Sequence, residues 1–425
     1  MMNEPVARDD QHATPVTPDV MPERLVNGAV PEKRKRRPVA WLTRDSLITA
    51  VLLIAIMAFG GYLRFVGQNW DDFTDLHPDE RFLTGVAAEI GAVGLQIGST
   101  PGDSPTHMQD CVQRYPATNG VGGYFDSECS NLYPPNIGHG TYVYGELPLF
   151  IVHYAAKLVA QATGDPTWAA YDRIHFVGRS VSAIADIFTI FFIFLIGRRL
   201  YGRWTGLLAA LLYSVAVLPI QLSHFWTMDA VTNLPLSIAI YCAVRVLDRS
   251  RWQDYLGFGA ALGAAIACRI NVAPLAGLIV LAAIIYSMPL FDVTIPWSER
   301  GRIFSRAIIG LLIAGAATLI VFRVTNPHAF TGPSIFGIVP YRDFLYQLSQ
   351  AQYFTSGHYD GPPNYQWIDR APYLFAWRNI VEWGMGIPLG LVAWGAWIWA
   401  MVQVIRARKL WTRHALLVAW IFVYF

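Results

Sequence analysis

The chain has 425 residues, 54% of them hydrophobic and only 15% charged, with a mean hydropathy of +0.35 and a net charge of +2. Soluble domains carry about a quarter charged residues, so this composition excludes an ordinary soluble protein. The apolar residues fall in runs of roughly 17–22 with almost no charge inside, the length a helix needs to cross about 30 Å of hydrocarbon.

In chain order, residues 1–44 are polar and Pro-rich and carry the cluster Lys33-Arg34-Lys35-Arg36-Arg37. Such a segment cannot bury enough apolar surface to fold alone and is expected to be a disordered cytoplasmic tail. The cluster lies too far from the start, and the apolar run after it is too long, for a cleavable signal peptide. A basic run just before a span is the ordinary mark of a cytoplasmic flank, so no nucleic-acid partner is expected.

A transmembrane unit is expected over residues 45–425, with spans at Ser46–Val66, His175–Gly197, Trp204–Gln221, Val231–Leu247, Tyr255–Cys268, Val272–Met288, Ala307–Phe322, Ile387–Ile405 and Ala415–Phe425. With these spans, four basic clusters fall on the side of the N-terminal tail: Arg198/Arg199/Arg203, Arg245/Arg249/Arg251, Arg300/Arg302/Arg306 and Arg406/Arg408/Lys409/Arg413. The positive-inside rule makes that side cytoplasmic. Tyr142–Ala162 is apolar enough to cross, but crossing would reverse every later cluster. It therefore reads as a helix at the outer surface, with His153 and Lys157 on its wetter side.

Two large outer segments result, residues 67–174 and 325–385. The first holds Cys111 and Cys129, between which a disulfide is chemically allowed in an oxidising compartment; Cys242 and Cys268 fall within spans and read as packing residues. The chain ends at Phe425 inside an apolar run, as a fragment of a longer protein would.

The spans read as nearly free of ionisable groups, whereas transporters usually place theirs at mid-membrane. Charge gathers instead just after the first span, in Asp71-Asp72-Phe73-Thr74-Asp75-Leu76-His77-Pro78-Asp79-Glu80-Arg81-Phe82. Pro78 before Asp79 suits the start of a helix, whose N-terminus stabilises a carboxylate. A neighbouring cation such as Arg81 would keep a general base ionised. Spacing alone supports a capping role and a catalytic role for Asp79 equally. In the next outer loop His224 and Asp229 could contribute metal ligands, although two ligands do not make a site. Asp229 could equally be only the first acid of its helix. Arg179 and Arg269, lone cations at the outer ends of spans, suit either an anionic group or snorkelling.

These residues resemble a family. Asp79-Glu80 after the first span is similar to the Asp-Glu motif of GT-C glycosyltransferases, with protein O-mannosyltransferases, lipid-A aminoarabinose transferases and bacterial carrier-dependent glycosyltransferases the nearest groups. Tyr144-Gly145-Glu146-Leu147-Pro148-Leu149-Phe150 resembles their juxtamembrane Tyr-x-Lys-Pro-Pro-Leu-Tyr, and Arg179-Ser180-Val181-Ser182 their Arg-x-x-Ser. Asp229 falls where they have a second outer acid, Gly263 to Arg269 resembles their Gly-x-x-x-x-x-Lys, and Asn326–Phe330 through Pro362–Trp367 looks like bacterial members. The resemblance runs from about residue 45 to the end. Glu146 departs from the motif's lysine and Leu147 from its first proline, which moves any phosphate contact to Arg179 or Arg269 and leaves a non-catalytic, lipid-binding member open.

The resemblance implies an all-α GT-C-type bundle in the cell membrane, multi-pass, with its active site outside the cytoplasm. It implies transfer of a sugar from a polyisoprenyl-phosphate donor to an acceptor hydroxyl on protein, glycan or lipid. Asp79 would be the general base and Glu80 would orient a substrate. His77, Arg81, His224 and Asp229 would support them, and Arg179 and Arg269 would meet the donor phosphate. The aromatic stretch Tyr353 to Trp383, including Tyr365, Trp367, Tyr373 and Trp377, would line the cavity or form an interfacial belt. No cofactor is certain, and a divalent metal stays open. The rival class is a transporter or lipid flippase, whose broken helices would sit in the Gly- and Ala-rich hairpin Gly257–Gly277.

Overall fold

The computed structural model describes residues 44–92, 105–356, 359–365, 368, 370–407 and 411–425. The chain divides into Met1–Ser46 and Leu47–Phe425. Residues 1–43 of the expected tail, with Trp367, Arg408 and Lys409, lie outside the described residues.

Hydrocarbon offers no partner to a backbone N–H or C=O, so apolar runs fold as helices that satisfy themselves. The elements are α1 (Arg44–Phe65), α2 (Pro78–Glu89), α3 (Pro105–Arg114), α4 (Glu146–Thr163), α5 (Tyr171–Tyr201), α6 (Arg203–Ser214), α7 (Val217–Ser223) and α8 (Met228–Arg249). They continue with α9 (Trp252–Cys268), α10 (Ala276–Ser287), α11 (Trp297–Thr325), α12 (Arg342–Thr355), α13 (Pro362–Tyr365), α14 (Leu374–Asn379), α15 (Ile387–Ile405) and α16 (Trp411–Tyr424). Among the described residues the only β pairing is an isolated bridge between Phe330 and Pro340, so the expected all-α class holds.

Among the described residues six helices are long and apolar enough to cross a membrane: α1, α5, α8, the continuous Ile270–Phe291 around α10, α11 and α15. The expected span Trp204–Gln221 is instead α6 and α7, bent by 57° at their junction. Pro219 explains the break, because it has no N–H for the carbonyl four residues earlier and its ring clashes there. The Gly- and Ala-rich hairpin is not a broken pair. On Gly259 and Gly263 of α9 an added Cβ would lie 2.1 and 2.6 Å from the Ala314 and Thr318 carbonyl oxygens of α11, the small-residue contact that lets membrane helices approach closely.

That contact runs in parallel register, so α9 and α11 start at the same end of the bundle. Arg199 pairs with Asp248 at 2.7 Å, Arg245 pairs with Asp254 at 2.6 Å, and Arg413 donates to the Leu200 carbonyl at 3.1 Å. Basic residues of all four clusters therefore gather at one end.

At the opposite end the two segments expected to lie outside interlock. Tyr124 donates to the Val324 carbonyl at 2.7 Å, Tyr133 to Asp343 at 2.5 Å, and Ser127 to the Phe330 carbonyl. Gln347 accepts from the Tyr142 amide at 3.2 Å and donates to the Gly140 carbonyl at 3.0 Å. Cys111 and Cys129 form a disulfide in the first segment, and Cys242 and Cys268 are buried thiols. Helix α4 is not among the helices apolar enough to cross, and Leu149, Phe150, Val152 and Ala156 pack it against Leu83, Val86 and Ala87 of α2. His153 departs from its expected place: it is buried, with Nδ1 2.8 Å from the Ala87 carbonyl, while Lys157 is exposed.

The spans also hold charge that their composition concealed. Arg64 of α1 donates Nε to Asp186 of α5 at 2.6 Å, and Nη1 to the Gly60 and Ser214 carbonyls at 2.9 and 3.0 Å. Tyr213 closes the other carboxylate oxygen at 2.5 Å. Buried ions persist only when paired and hydrogen-bonded in this way.

Candidate active site

The loop between α1 and α2 sets the site. Asp72, Phe73 and Asp75 have φ of 50°, 64° and 48°, a left-handed conformation that costs energy away from glycine and needs surroundings that impose it. Arg179 imposes it from α5. Its Nε donates to Glu80 at 2.8 Å, Nη1 to the Gln68 carbonyl at 2.6 Å and to Asp71 at 3.0 Å, and Nη2 to Asp71 and Glu80 at 2.7 Å each. All five donors of the guanidinium are thus used, and the three side chains are fully buried. Burial alone would raise the Asp71 carboxyl, but the hydrogen bonds and charge of Arg179 outweigh it and hold Asp71 below the usual range. Glu80 also accepts the Trp226 amide at 2.9 Å.

Arg179, expected at a donor phosphate, and Glu80, expected at a substrate, are bonded to each other instead. Neither has a free face, because the cation is saturated and the carboxylate has no exposure.

Asp75 lies beside this cluster without a share of Arg179. Its Oδ1 faces Nδ1 of His175 at 3.3 Å, and both side chains are buried. Burial, then the negative charge of Glu80, pushes the Asp75 carboxyl up to about 6. The unfolded chain releases this proton near 3.8, so folded-state stability falls as pH rises from about 4 to 6 and stays lowered above. Asp75→Asn, which cannot ionise, should therefore raise the unfolding temperature in detergent at pH 8 and leave it little changed at pH 4. A variant less stable than the wild type at pH 8 would contradict this account of Asp75.

Asp79 is different. It is one residue beyond Pro78 in the first turn of α2 and only half-buried, and Tyr144 lies within electrostatic reach of it. Tyr144 also lies within electrostatic reach of Arg269 and Asp229, which pair at 3.0 Å with side chains 35% and 37% exposed. Tyr424 of α16 senses the same pair. The local fold explains the meeting. Gly145 caps α4 and presses on the end of α9, where a Cβ would lie 2.1 Å from the Ala267 carbonyl oxygen. Only glycine allows that approach, and it sets Tyr144 beside Arg269, the C-cap of α9. One acid, one phenol and one ion pair thus form a solvent-reaching mouth.

The remaining expected residues have structural places. His77 is the N-cap of α2 and accepts from the Glu80 amide at 3.5 Å. Arg81 is exposed and donates to the Asp75 backbone carbonyl at 3.0 Å. His224 has both ring nitrogens 2.8 Å from carbonyls, of Ile220 and of Val66, so it does not join Asp229 as a ligand. Among the described residues, Asp71, Asp75 and Glu80 form a group with metal-ligand spacing, but the Arg179 guanidinium already occupies the carboxylates of Asp71 and Glu80. Pro148 is buried in the first turn of α4, where its missing N–H costs nothing. Glu146 is buried, 2.7 Å from Nδ1 of His328, and its amide donates to Asn326 at 2.9 Å. It joins α4 to the second outer segment, a role served by an acid facing an imidazole and not by the motif's lysine. Tyr353, Tyr365, Tyr373 and Trp383 are exposed, in the manner of an aromatic belt.

A cavity of about 490 Å³ opens between α5, α6, α7, α8 and α16, almost wholly apolar, with Thr189, Tyr213, Asn233 and Ser237 among its few polar residues. It shares no lining residue with the mouth.

Fold and mouth together define a polytopic all-α membrane protein with an acid–cation site at the end of the bundle opposite its arginine clusters. Residues 150–325, from α4 to the end of α11, match the family described as dolichyl-phosphate-mannose-protein mannosyltransferase, which bears out the resemblance to membrane glycosyltransferases of the GT-C superfamily. Arg179, Asp229 and Arg269 fall inside the matched segment, whereas Asp79 and Glu80 precede it. Comparison with curated proteins finds no match. Among solved structures, the S. cerevisiae protein O-mannosyltransferase Pmt1–Pmt2 complex bound to the sugar donor is similar at 16% identity and a TM-score of 0.43. The alignment covers 68% of this chain and 35% of that one, so the chain spans about a third of the solved protein's length.

Proposed function

We propose that the protein transfers a sugar from a polyisoprenyl-phosphate carrier to an acceptor hydroxyl, at the non-cytoplasmic face of a cell membrane. The observation that carries this reading is the mouth itself: a half-buried carboxylate at a helix N-terminus, near a partly exposed arginine paired with Asp229. Asp79 accepts the proton of the acceptor hydroxyl as that oxygen attacks the anomeric carbon. The bond from anomeric carbon to phosphate oxygen breaks, and the phosphate leaves with the electron pair, with inversion at carbon. Arg269 offsets the charge building on that phosphate, and Asp229 aims the guanidinium. Arg179 and Glu80 hold the N-terminus of α2 and touch neither substrate. The gathering of arginines at the other end supports placing the mouth outside the cytoplasm, and the apolar cavity supports a place for membrane lipid.

The bent α6–α7 pair and the Arg64–Asp186 pair are what a transporter would offer, although that ion pair is closed by Tyr213. Chemistry separates the two readings. Purified protein in detergent, given a labelled polyprenyl-phosphate hexose and a membrane or protein extract as acceptor, should release polyprenyl phosphate and label the acceptor. Donor recovered intact over many hours across several hexoses would instead support transport.

A further inference from the structure

We infer that the loop 334–339 is a membrane wedge, whose apolar tip sits among the lipids of the leaflet opposite the arginine clusters. This rests on the chain spanning a bilayer and is independent of any chemistry at Asp79. From Phe330 to Tyr341 the sequence reads Phe-Thr-Gly-Pro-Ser-Ile-Phe-Gly-Ile-Val-Pro-Tyr, without one charged residue. Ile335, Phe336, Ile338 and Val339 are all exposed, Phe336 by 87%. Large apolar side chains grouped in this way mark a surface that something covers.

The loop is preformed. The Thr331 amide donates to the Val339 carbonyl at 2.8 Å and the Tyr341 amide to the Ala329 carbonyl at 3.0 Å, which closes its neck. At the tip the Gly337 amide donates to the Ser334 carbonyl at 3.0 Å. Gly332 presses on the backbone of Phe125, where a Cβ would lie 2.0 Å from the carbonyl oxygen. The apolar side chains are thus displayed on an ordered turn, so little conformational freedom is lost when they are covered.

The position of the loop identifies what covers it. Arg323 lies in the last turn of α11, a helix long and apolar enough to span. Its Nη2 donates to the Ser334 carbonyl at 2.7 Å, and its Nη1 donates to the Pro327 carbonyl. The loop therefore turns back to within one arginine side chain of the end of a span. The head-group layer of a leaflet is only roughly 5–8 Å deep, so the base of the loop lies in that layer. Apolar side chains at this depth bury among lipids. The wedge is also tied to the mouth: Ser127 donates to the Phe330 carbonyl, and His328 faces Glu146 at 2.7 Å, next to the Gly145 cap of α4. It seats that assembly on the leaflet.

The four native cysteines are one disulfide and two buried thiols, so an introduced surface thiol can be labelled selectively. Phe336→Cys is labelled in detergent with an environment-sensitive fluorophore and the full chain is placed in phospholipid nanodiscs. Gln113→Cys, exposed on α3, is the reference in water, and labelled wild type gives the background. Nitroxide-bearing phospholipids should quench the label at 336 more than the label at 113. Iodide should quench it at least about threefold less, since a charged ion does not enter hydrocarbon. The emission at 336 should also lie to the blue of that at 113. Equal iodide quenching at both positions would overturn the wedge. So would a label at 336 that neither quencher reaches, because a protein surface would then cover the tip. Val339→Cys, 67% exposed, repeats the measurement should the label at 336 lower the unfolding temperature, and iodide quenching there equal to that at 113 would overturn the inference as well.

Discussion

Arg179→Met should cost about 3–5 kcal/mol of stability, the loss expected when one partner is removed from a buried ion pair. Methionine fills the volume of the arginine stem but leaves Asp71 and Glu80, both fully buried, as two carboxylates with no cation. The left-handed backbone at Asp72, Phe73 and Asp75 then loses its anchor through Asp71, and the N-terminus of α2 its anchor through Glu80. Arg179→Lys should fall nearly as far, because an ammonium has three donors and no planar fork for contacts to Asp71, Glu80 and the Gln68 carbonyl. Thermal unfolding in detergent measures this. The triple variant Arg179→Met, Asp71→Asn, Glu80→Gln should recover much of the loss, since the charges that lacked a partner are gone. A single Arg179→Met variant as stable as the wild type would show that the cluster does not hold the loop.

Much of this architecture was legible in the sequence, for a physical reason. A span must be apolar along its whole length, so Ile387–Ile405 appears in the letters with the boundaries it has in the fold. The basic clusters are local too, and the fold gathers them at one end. Asp79 was readable because Pro78, a helix start and a nearby arginine all lie within a few residues. The pairings were not. Arg179 and Glu80 are 99 positions apart, Arg64 and Asp186 122, and Glu146 and His328 182, and nothing in a single sequence says which acid a buried arginine will meet. Arg179 therefore read as a free cation and Glu146 as a damaged motif, when each is a strut. Neither His175, at the start of an expected span, nor His328, inside the Asn326–Phe330 stretch, carried a local sign of the acid it faces. The break at Pro219 did carry a signal, a proline inside an apolar run, that the length of the run outweighed.

The central claim is that Asp79 is the base of a glycosyl transfer. Asp79→Asn preserves shape but cannot take a proton, and losing a general base lowers rate by roughly 10²–10⁴-fold. Because Asp79 is half-buried at the mouth and outside the Arg179 cluster, the variant should insert and unfold like the wild type, unlike Arg179→Met. The most direct measurement is release of polyprenyl phosphate from a labelled polyprenyl-phosphate hexose by purified wild type and Asp79→Asn at equal folded concentration. Turnover by the wild type with loss of at least about 10²-fold in the variant is the result predicted here, and equal turnover by both proteins would contradict it.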